Sequence, residues 1–288
     1  MSVNTVVKGY TIKKMVDQKG FQAIYVANRL KTGEDVFITV TAVRSGRDLN
    51  ALKKRSMLSQ KLALPSLATG IDYGSLPNNR FYYTHKSIAS LPIKRILEEE
   101  KDDKQKLFSC IGFFIDALET LAYIHDAQVT HRDLNASQIR ISQENQVILE
   151  GFINARPKLE IRNIANIVDL PYVSPEQLMG APVDRKTDIY SMGVILHELL
   201  TERLPYLSNY AKMEDARNGV TPSPSGFKKN LDVQLEKIIM KSLSPRQSRY
   251  SHARDFIEDL EKFYDRRSLK MKLRDVSFSI KNLFSFYS

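Results

Sequence analysis

His131-Arg132-Asp133-Leu134, followed by the strand-like runs Gln138-Ile-Arg-Ile141 and Val147-Ile-Leu149, is the stretch on which the fold turns. Downstream, in order, come Tyr172-Val-Ser-Pro-Glu-Gln177 and Thr187-Asp-Ile-Tyr-Ser-Met-Gly-Val-Ile-Leu-His-Glu-Leu-Leu200. A lone His-Arg-Asp tripeptide carries little information, whereas this ordered set carries a great deal. The run from Ile189 to Leu200 is strongly apolar and predicts a core helix.

Outward from this centre the two halves of the chain read differently. Toward the N-terminus, Tyr10–Met15, Phe21–Val26, Val36–Thr41 and Phe81–Thr84 are rich in β-branched and aromatic residues and predict strands. Lys19-Gly20 and Thr32-Gly33 mark turns between them. Asp48 to Leu62 reads as one helix that Pro65 stops. After Pro92 the pattern becomes helical. Ile111, Ile115, Leu118, Leu121, Ala122 and Ile124 line one face, and Asp232–Leu243 and His252–Tyr264 are amphipathic. The expected fold class is therefore α+β, a β-rich lobe (1–85) and an α-rich lobe (86–264), followed by a tail (265–288).

Composition narrows the functional classes. With 42% hydrophobic and 26% charged residues the 288-residue chain is globular, which excludes collagen-like and wholly disordered readings. The single cysteine, Cys110, excludes an intrachain disulfide, and no Cys/His cluster has metal-ligand spacing. His85, His125, His197 and His252 are scattered and read as packing or surface histidines. The most apolar stretch, Cys110 to Ile124, is broken by Asp116 and Glu119 and reads as too short to span a membrane. No signal-peptide pattern opens the chain. The expected setting is the cytoplasm, with peripheral association at a membrane as the alternative. The 43 Lys and Arg against 33 Asp and Glu favour anionic surfaces.

The ordered motif set resembles the eukaryotic-type protein kinases, in particular the bacterial serine/threonine kinases whose activation segment ends in Ser-Pro-Glu. The resemblance runs from about Tyr10 to Tyr264 and implies the bilobal kinase fold, with a nucleotide cleft between the lobes in active members. It assigns structural roles to three residues. Glu176 matches the glutamate that closes the activation segment, Arg249 its arginine partner, and Asp188 the helix-start aspartate that holds the catalytic-loop backbone. These vouch for the fold, not for activity.

Phosphoryl transfer in this family needs a lysine on the phosphates, a glutamate holding it, Mg²⁺ on an Asp and an Asn, and a base. Matched position by position, the phosphate lysine is Thr39, its helix partner is Arg55, the Asp of Asp-Phe-Gly is Gly151, and the loop asparagine is Gln138. Asn135 replaces the loop lysine. Asp17, Lys19 and Gln22 stand at the three positions of the glycine-rich loop, where glycines let the backbone approach phosphate. Phe37 occupies the small position that packs on adenine. Asp133, matching the catalytic base, survives. Between Ile153 and Tyr172 there is no Ser, Thr or Tyr, so Arg132 faces no phosphoacceptor there, and Val168-Asp169 replaces the usual Gly-Thr.

These losses point to a pseudokinase: a regulatory binding module or scaffold with no cofactor and no metal, acting through a protein partner. The alternatives are an unorthodox kinase or nucleotidyl transferase using Asp133 with Glu150 and Lys19, and a basic nucleic-acid-associated protein. The tail carries six Lys and Arg against two Asp, with Leu269, Leu273, Val276, Ile280 and Leu283 at helical spacing. It reads either as a basic amphipathic helix suited to an anionic membrane surface or as a helix packed on the C-lobe.

Overall fold

The computed structural model describes residues 6–19, 22–62, 64–68, 70–86, 88–151, 171–206, 214–215 and 220–268. The chain divides into two compact units, Met1–Ala89 and Ser90–Ser288.

The first unit is an antiparallel sheet with one helix. Strands β1 (Val6–Val7), β2 (Tyr10–Lys19), β3 (Gln22–Arg29), β4 (Asp35–Ala42), β5 (Gly70–Leu76) and β6 (Arg80–Lys86) lie in the order β1-β2-β3-β4-β6-β5. Alternation along β4 explains its burial. Val36, Ile38 and Val40 join Tyr10, Ile12, Tyr25, Ala27 and Tyr82 in one core cluster. Phe37, Thr39 and Thr41, at the intervening positions, face the other way. Helix α1 (Gly46–Lys61) is tied to the sheet where Gly70 N–H donates to Ser59 Oγ at 2.8 Å and Gln60 Nε2 donates to Ile71 O at 2.8 Å.

Strand β5 was not legible in the sequence, because Gly70, Asp72, Gly74 and Ser75 are poor strand formers. Packing explains one of them: a Cβ at Gly74 would lie 2.9 Å from the Tyr82 ring. The glycine makes room for an aromatic residue on the neighbouring strand.

The second unit opens with β7 (Ser90–Pro92) and α2 (Ile93–Glu99), then α3 (Asp103–Asp126). A 3-10 turn (Ala136–Gln138) leads into β8 (Ile139–Ser142) and β9 (Val147–Leu149), and β7-β8-β9 form a small antiparallel sheet. After these come α4 (Pro175–Leu178), α5 (Arg185–Thr201), α6 (Val233–Leu243) and α7 (Ala253–Ser268). Aspartates start three of the helices. Asp102, Asp184 and Asp232 accept the amides of Gln105, Lys186 and Gln234 at 2.8, 3.0 and 2.8 Å.

Every residue of α5 from Thr187 to Thr201 is buried, so this helix is the axis of the unit. Helix α3 packs on α7 through the edge-on ring pairs Phe114–Phe256 and Phe108–Tyr264. Contrary to the reading of Cys110–Ile124 as too short, α3 is long and apolar enough to cross a membrane by length and composition. Two-thirds of its apolar window is nevertheless buried inside the unit, as expected of a core helix. Helix α7 runs on to Ser268, so residues 265–268 of the basic tail continue it, and residues 269–288 lie outside the described set.

Candidate functional site

The His131–Leu134 loop is held from behind by Asp188, in the first turn of α5. Asp188 is fully buried; Oδ2 accepts the His131 amide at 2.8 Å and Oδ1 accepts the Arg132 amide at 2.7 Å. His125 Nε2, at the end of α3, lies 2.8 Å from Oδ2. Arg132 has a φ of 69°, a left-handed conformation that costs a non-glycine residue of order 1 kcal/mol or more. The paired amide contacts on one carboxylate offset that strain, and the Arg132 carbonyl accepts Gln177 Nε2 at 3.0 Å.

The His131 imidazole is neutral in this setting. Its Nδ1 accepts the Asp133 amide at 3.4 Å, which leaves Nε2 to donate to the Glu150 carbonyl at 3.2 Å. Burial pushes its pKa below the ordinary histidine value, and the nearby Asp188 charge opposes that only in part. Asp133, half-buried, follows in the same loop.

Gln138 and Gly151, the two positions matched to the metal ligands, meet each other. Gln138 closes the 3-10 turn as half of a capping box: its Oε1 accepts the Asn135 amide at 3.2 Å while Asn135 Oδ1 accepts Ser137 at its amide and hydroxyl. Its backbone carbonyl accepts the Glu150 amide at 2.9 Å. Gly151 has a φ of +81°, and a Cβ built on it would run into Gln138, meeting Nε2 first, Cδ at 2.6 Å and Cγ at 3.1 Å. The space a side chain at 151 would need is filled by Gln138. Sequence spacing flagged both positions, yet the contact between them has no sequence signal.

The carboxylate beside Gly151 is engaged elsewhere. Glu150 Oε1 lies 3.4 Å from Arg140 Nε, and that guanidinium also donates to Ser90 Oγ at 2.9 Å and to the Ser90 carbonyl. The β8–β9 register, Ile139↔Leu149 and Ile141↔Val147, fixes this arrangement. Burial raises the Glu150 pKa, with Arg140 pulling the other way.

Glu176 and Arg249 form the buried pair that their match implies. Arg249 Nη1 donates to Glu176 Oε1 at 2.8 Å and Nη2 to Oε2 at 3.4 Å, with side chains 1% and 8% exposed. Arg249 also donates to the carbonyls of Lys186 and Ser244, and Thr187 Oγ1 donates to Glu176. Burial alone would raise the Glu176 pKa, but the guanidinium and the hydrogen bonds hold it below the ordinary value.

In the first unit, Thr39 is 1% exposed on β4, opposite Ile24 of β3 and Tyr83 of β6. Phe37 is in register with Val26 and His85, and its ring lies 5.4 Å from the His85 imidazole. Burial pushes the His85 pKa down to about 4. The β2–β3 hairpin is strand-paired through Asp17↔Ile24 to Lys19↔Gln22, and Asp17 Oδ1 accepts the Gln18 amide at 2.8 Å. Arg55 lies on α1 and Lys19 ends β2; their side chains are outside the described set, as are Phe152, Ile153, Val168 and Asp169.

A family model described as the protein kinase domain matches residues 84–271. This chain belongs to the protein kinase family. Among its kinase relatives, a probable serine/threonine-protein kinase of Clostridium acetobutylicum is 23% identical over 261 residues, covering 87% of this chain and 39% of the relative. PknB of Mycobacterium tuberculosis is 25% identical over 275 residues, covering 89% and 43%. PrkC of Bacillus subtilis is 22% identical over 272 residues, covering 91% and 42%. The chain thus spans about two-fifths of the length of these relatives. The crystal structure of the M. tuberculosis PknI kinase domain superposes with a TM-score of 0.71 at 15% identity, over 91% of this chain and 98% of that one. That likeness supports the bilobal α+β kinase-like fold.

The family model begins at Thr84, so it leaves out the β2–β3 hairpin and β4, which carry Asp17, Lys19, Gln22, Phe37 and Thr39. One residue of the kinase loop scaffold escaped the sequence reading. His125, which reads in sequence as a packing or surface histidine, is buried and is also the third partner of Asp188. Its place near the end of α3, six residues before His131, is the available signal.

Proposed function

We propose that this kinase-family chain is catalytically inactive and works as a regulatory binding module or scaffold. The observation that carries the reading is the meeting of Gln138 with Gly151. Magnesium takes near-octahedral oxygen ligands and is anchored by carboxylates. Gly151 offers no side-chain oxygen, and the Gln138 carbonyl oxygen is already accepting a backbone amide. Thr39, buried between Ile24 and Tyr83, brings no cation to a phosphate. Phosphoryl transfer is mostly positioning and charge neutralisation, and both are lacking at these positions. Asp133 alone supplies a base with nothing to act on.

The alternative that recruits Glu150 as a metal ligand loses support from its pairing with Arg140. The module would act through a protein partner in the cytoplasm, with the basic segment 265–288 adding attraction for an anionic membrane surface. The decisive test is a thermal-shift titration of the chain with millimolar ATP and Mg²⁺ or Mn²⁺. No shift is expected. A ligand at about 100 times its Kd would stabilise the protein by about 2.7 kcal/mol, so a saturable, metal-dependent rise in Tm would overturn the reading.

A further inference from the structure

We infer that Gln138 is a built-in brace that takes over the structural task of a bound metal, fixing the catalytic loop to the end of β9 without any ligand. In the family pattern positions 138 and 151 are joined through a metal ion. Here one side chain spans the same gap. The Gln138 carbonyl oxygen caps the loop at the Asn135 amide, its backbone carbonyl receives the Glu150 amide, and its Cγ, Cδ and Nε2 fill the place of a side chain at 151.

Three features make this a matched pair and not a chance vacancy. The glutamine is one methylene longer than asparagine, which is what reaching Gly151 requires. The glycine is the residue that leaves the space, and its φ of +81° lies in the left-handed region that favours glycine. The amide end that a Cβ at 151 would strike is not loose, because the Asn135 hydrogen bond holds it; turning it aside breaks the capping box. The kinase core is thereby pre-set in one arrangement with no nucleotide, as suits a module whose surface must be constant. This inference rests on reading 138 and 151 as vacated metal positions, but its test passes through neither metal nor nucleotide.

The test is a double-mutant cycle on the whole chain, with Gly151→Ala, Gln138→Ala and the double variant compared by denaturation midpoint. Gly151→Ala alone should lower Tm by at least about 3 °C, from strain and clash together. The double variant should be more stable than the two single losses predict, because truncating Gln138 clears the clash and leaves only the strain. Additive losses would overturn the brace. If Gly151→Ala does not fold, amide exchange on Gln138→Ala decides the matter. The Asn135 amide should exchange at least about tenfold faster, the effect of losing one hydrogen bond of about 1.4 kcal/mol. Unchanged exchange at Asn135 would equally overturn it.

Discussion

Asp188 and Gly151 stand at two positions where the kinase pattern has an aspartate, and this chain treats them in opposite ways. At 188 the carboxylate is kept, fully buried and engaged on both oxygens. At 151 there is no side chain, and Gln138 fills the space one would need. The difference lies in what each carboxylate does for the fold. Asp188 satisfies buried amides and compensates the left-handed Arg132, so its loss would be felt whether or not anything is phosphorylated. An aspartate at 151 has its main use in holding a metal. Without a cation a buried carboxylate at 151 would be costly, and the space it would need is filled by Gln138.

The sharpest way to break this comparison is at Glu176–Arg249, a buried guanidinium–carboxylate pair. Glu176→Ala or Arg249→Ala strands a buried charge and should cost about 3–5 kcal/mol. Urea midpoints unchanged in both variants would show that the pair does not hold the C-lobe.

Asp188→Asn comes next. An asparagine keeps one carbonyl for one of the two loop amides but turns an NH₂ toward the other. Leaving one buried donor unpaired costs about 1–3 kcal/mol. Circular dichroism should report a folded protein with a lowered midpoint. A variant as stable as the parent would mean that Arg132 reaches its positive φ without help from α5.

Most of this architectural half was legible in the sequence. Asp188, Glu176 and Arg249 were reached through the resemblance of the ordered motif set to the kinases; in the structure Asp188 accepts the loop amides and Glu176 pairs with Arg249. What was hidden shares a different cause. Strand β5 was masked by glycines that serve Tyr82, and the Gln138–Gly151 contact joins residues thirteen apart through the path of one side chain. His125 was readable as an apolar-face histidine but not as a partner of a residue sixty-three positions away. Spacing reveals motifs; it does not reveal which side chain fills a neighbour's absence.

The pH dependence of stability sharpens the same contrast. His131 and His197 are both held below their ordinary pKa, in each case first by burial. A histidine depressed in the folded state binds its proton more readily when unfolded. Its contribution is therefore complete above the unfolded pKa of about 6.5 and is lost as pH falls below it. Each neutral buried histidine should remove up to about 1.4 kcal/mol per pH unit in that range. Asp116 and Glu150, raised by burial, act in the opposite sense, but only nearer the carboxylate range. Between about pH 6.5 and 5.5 the urea midpoint should thus decline. A flat profile would show that the loop histidine is protonated at little cost, against its placement between Asp133 N–H and the Glu150 carbonyl.

The smallest effect is expected at Glu150, next to the vacated position. Its carboxylate meets Arg140 at 3.4 Å, with both side chains 25% exposed, so solvent screens part of the attraction. Arg140 keeps Ser90 Oγ and the Ser90 carbonyl when the charge is removed, and the Glu150 backbone bonds to His131 and Gln138 do not depend on the side chain. Glu150→Gln also removes a charge that burial disfavours, which offsets some of the lost pairing. The net change should stay within about 1 kcal/mol. A loss above about 2 kcal/mol would place Glu150 with Glu176 and Asp188 among the carboxylates the fold depends on. The set of carboxylates that hold the fold would then extend to the end of β9, up to the residue before Gly151.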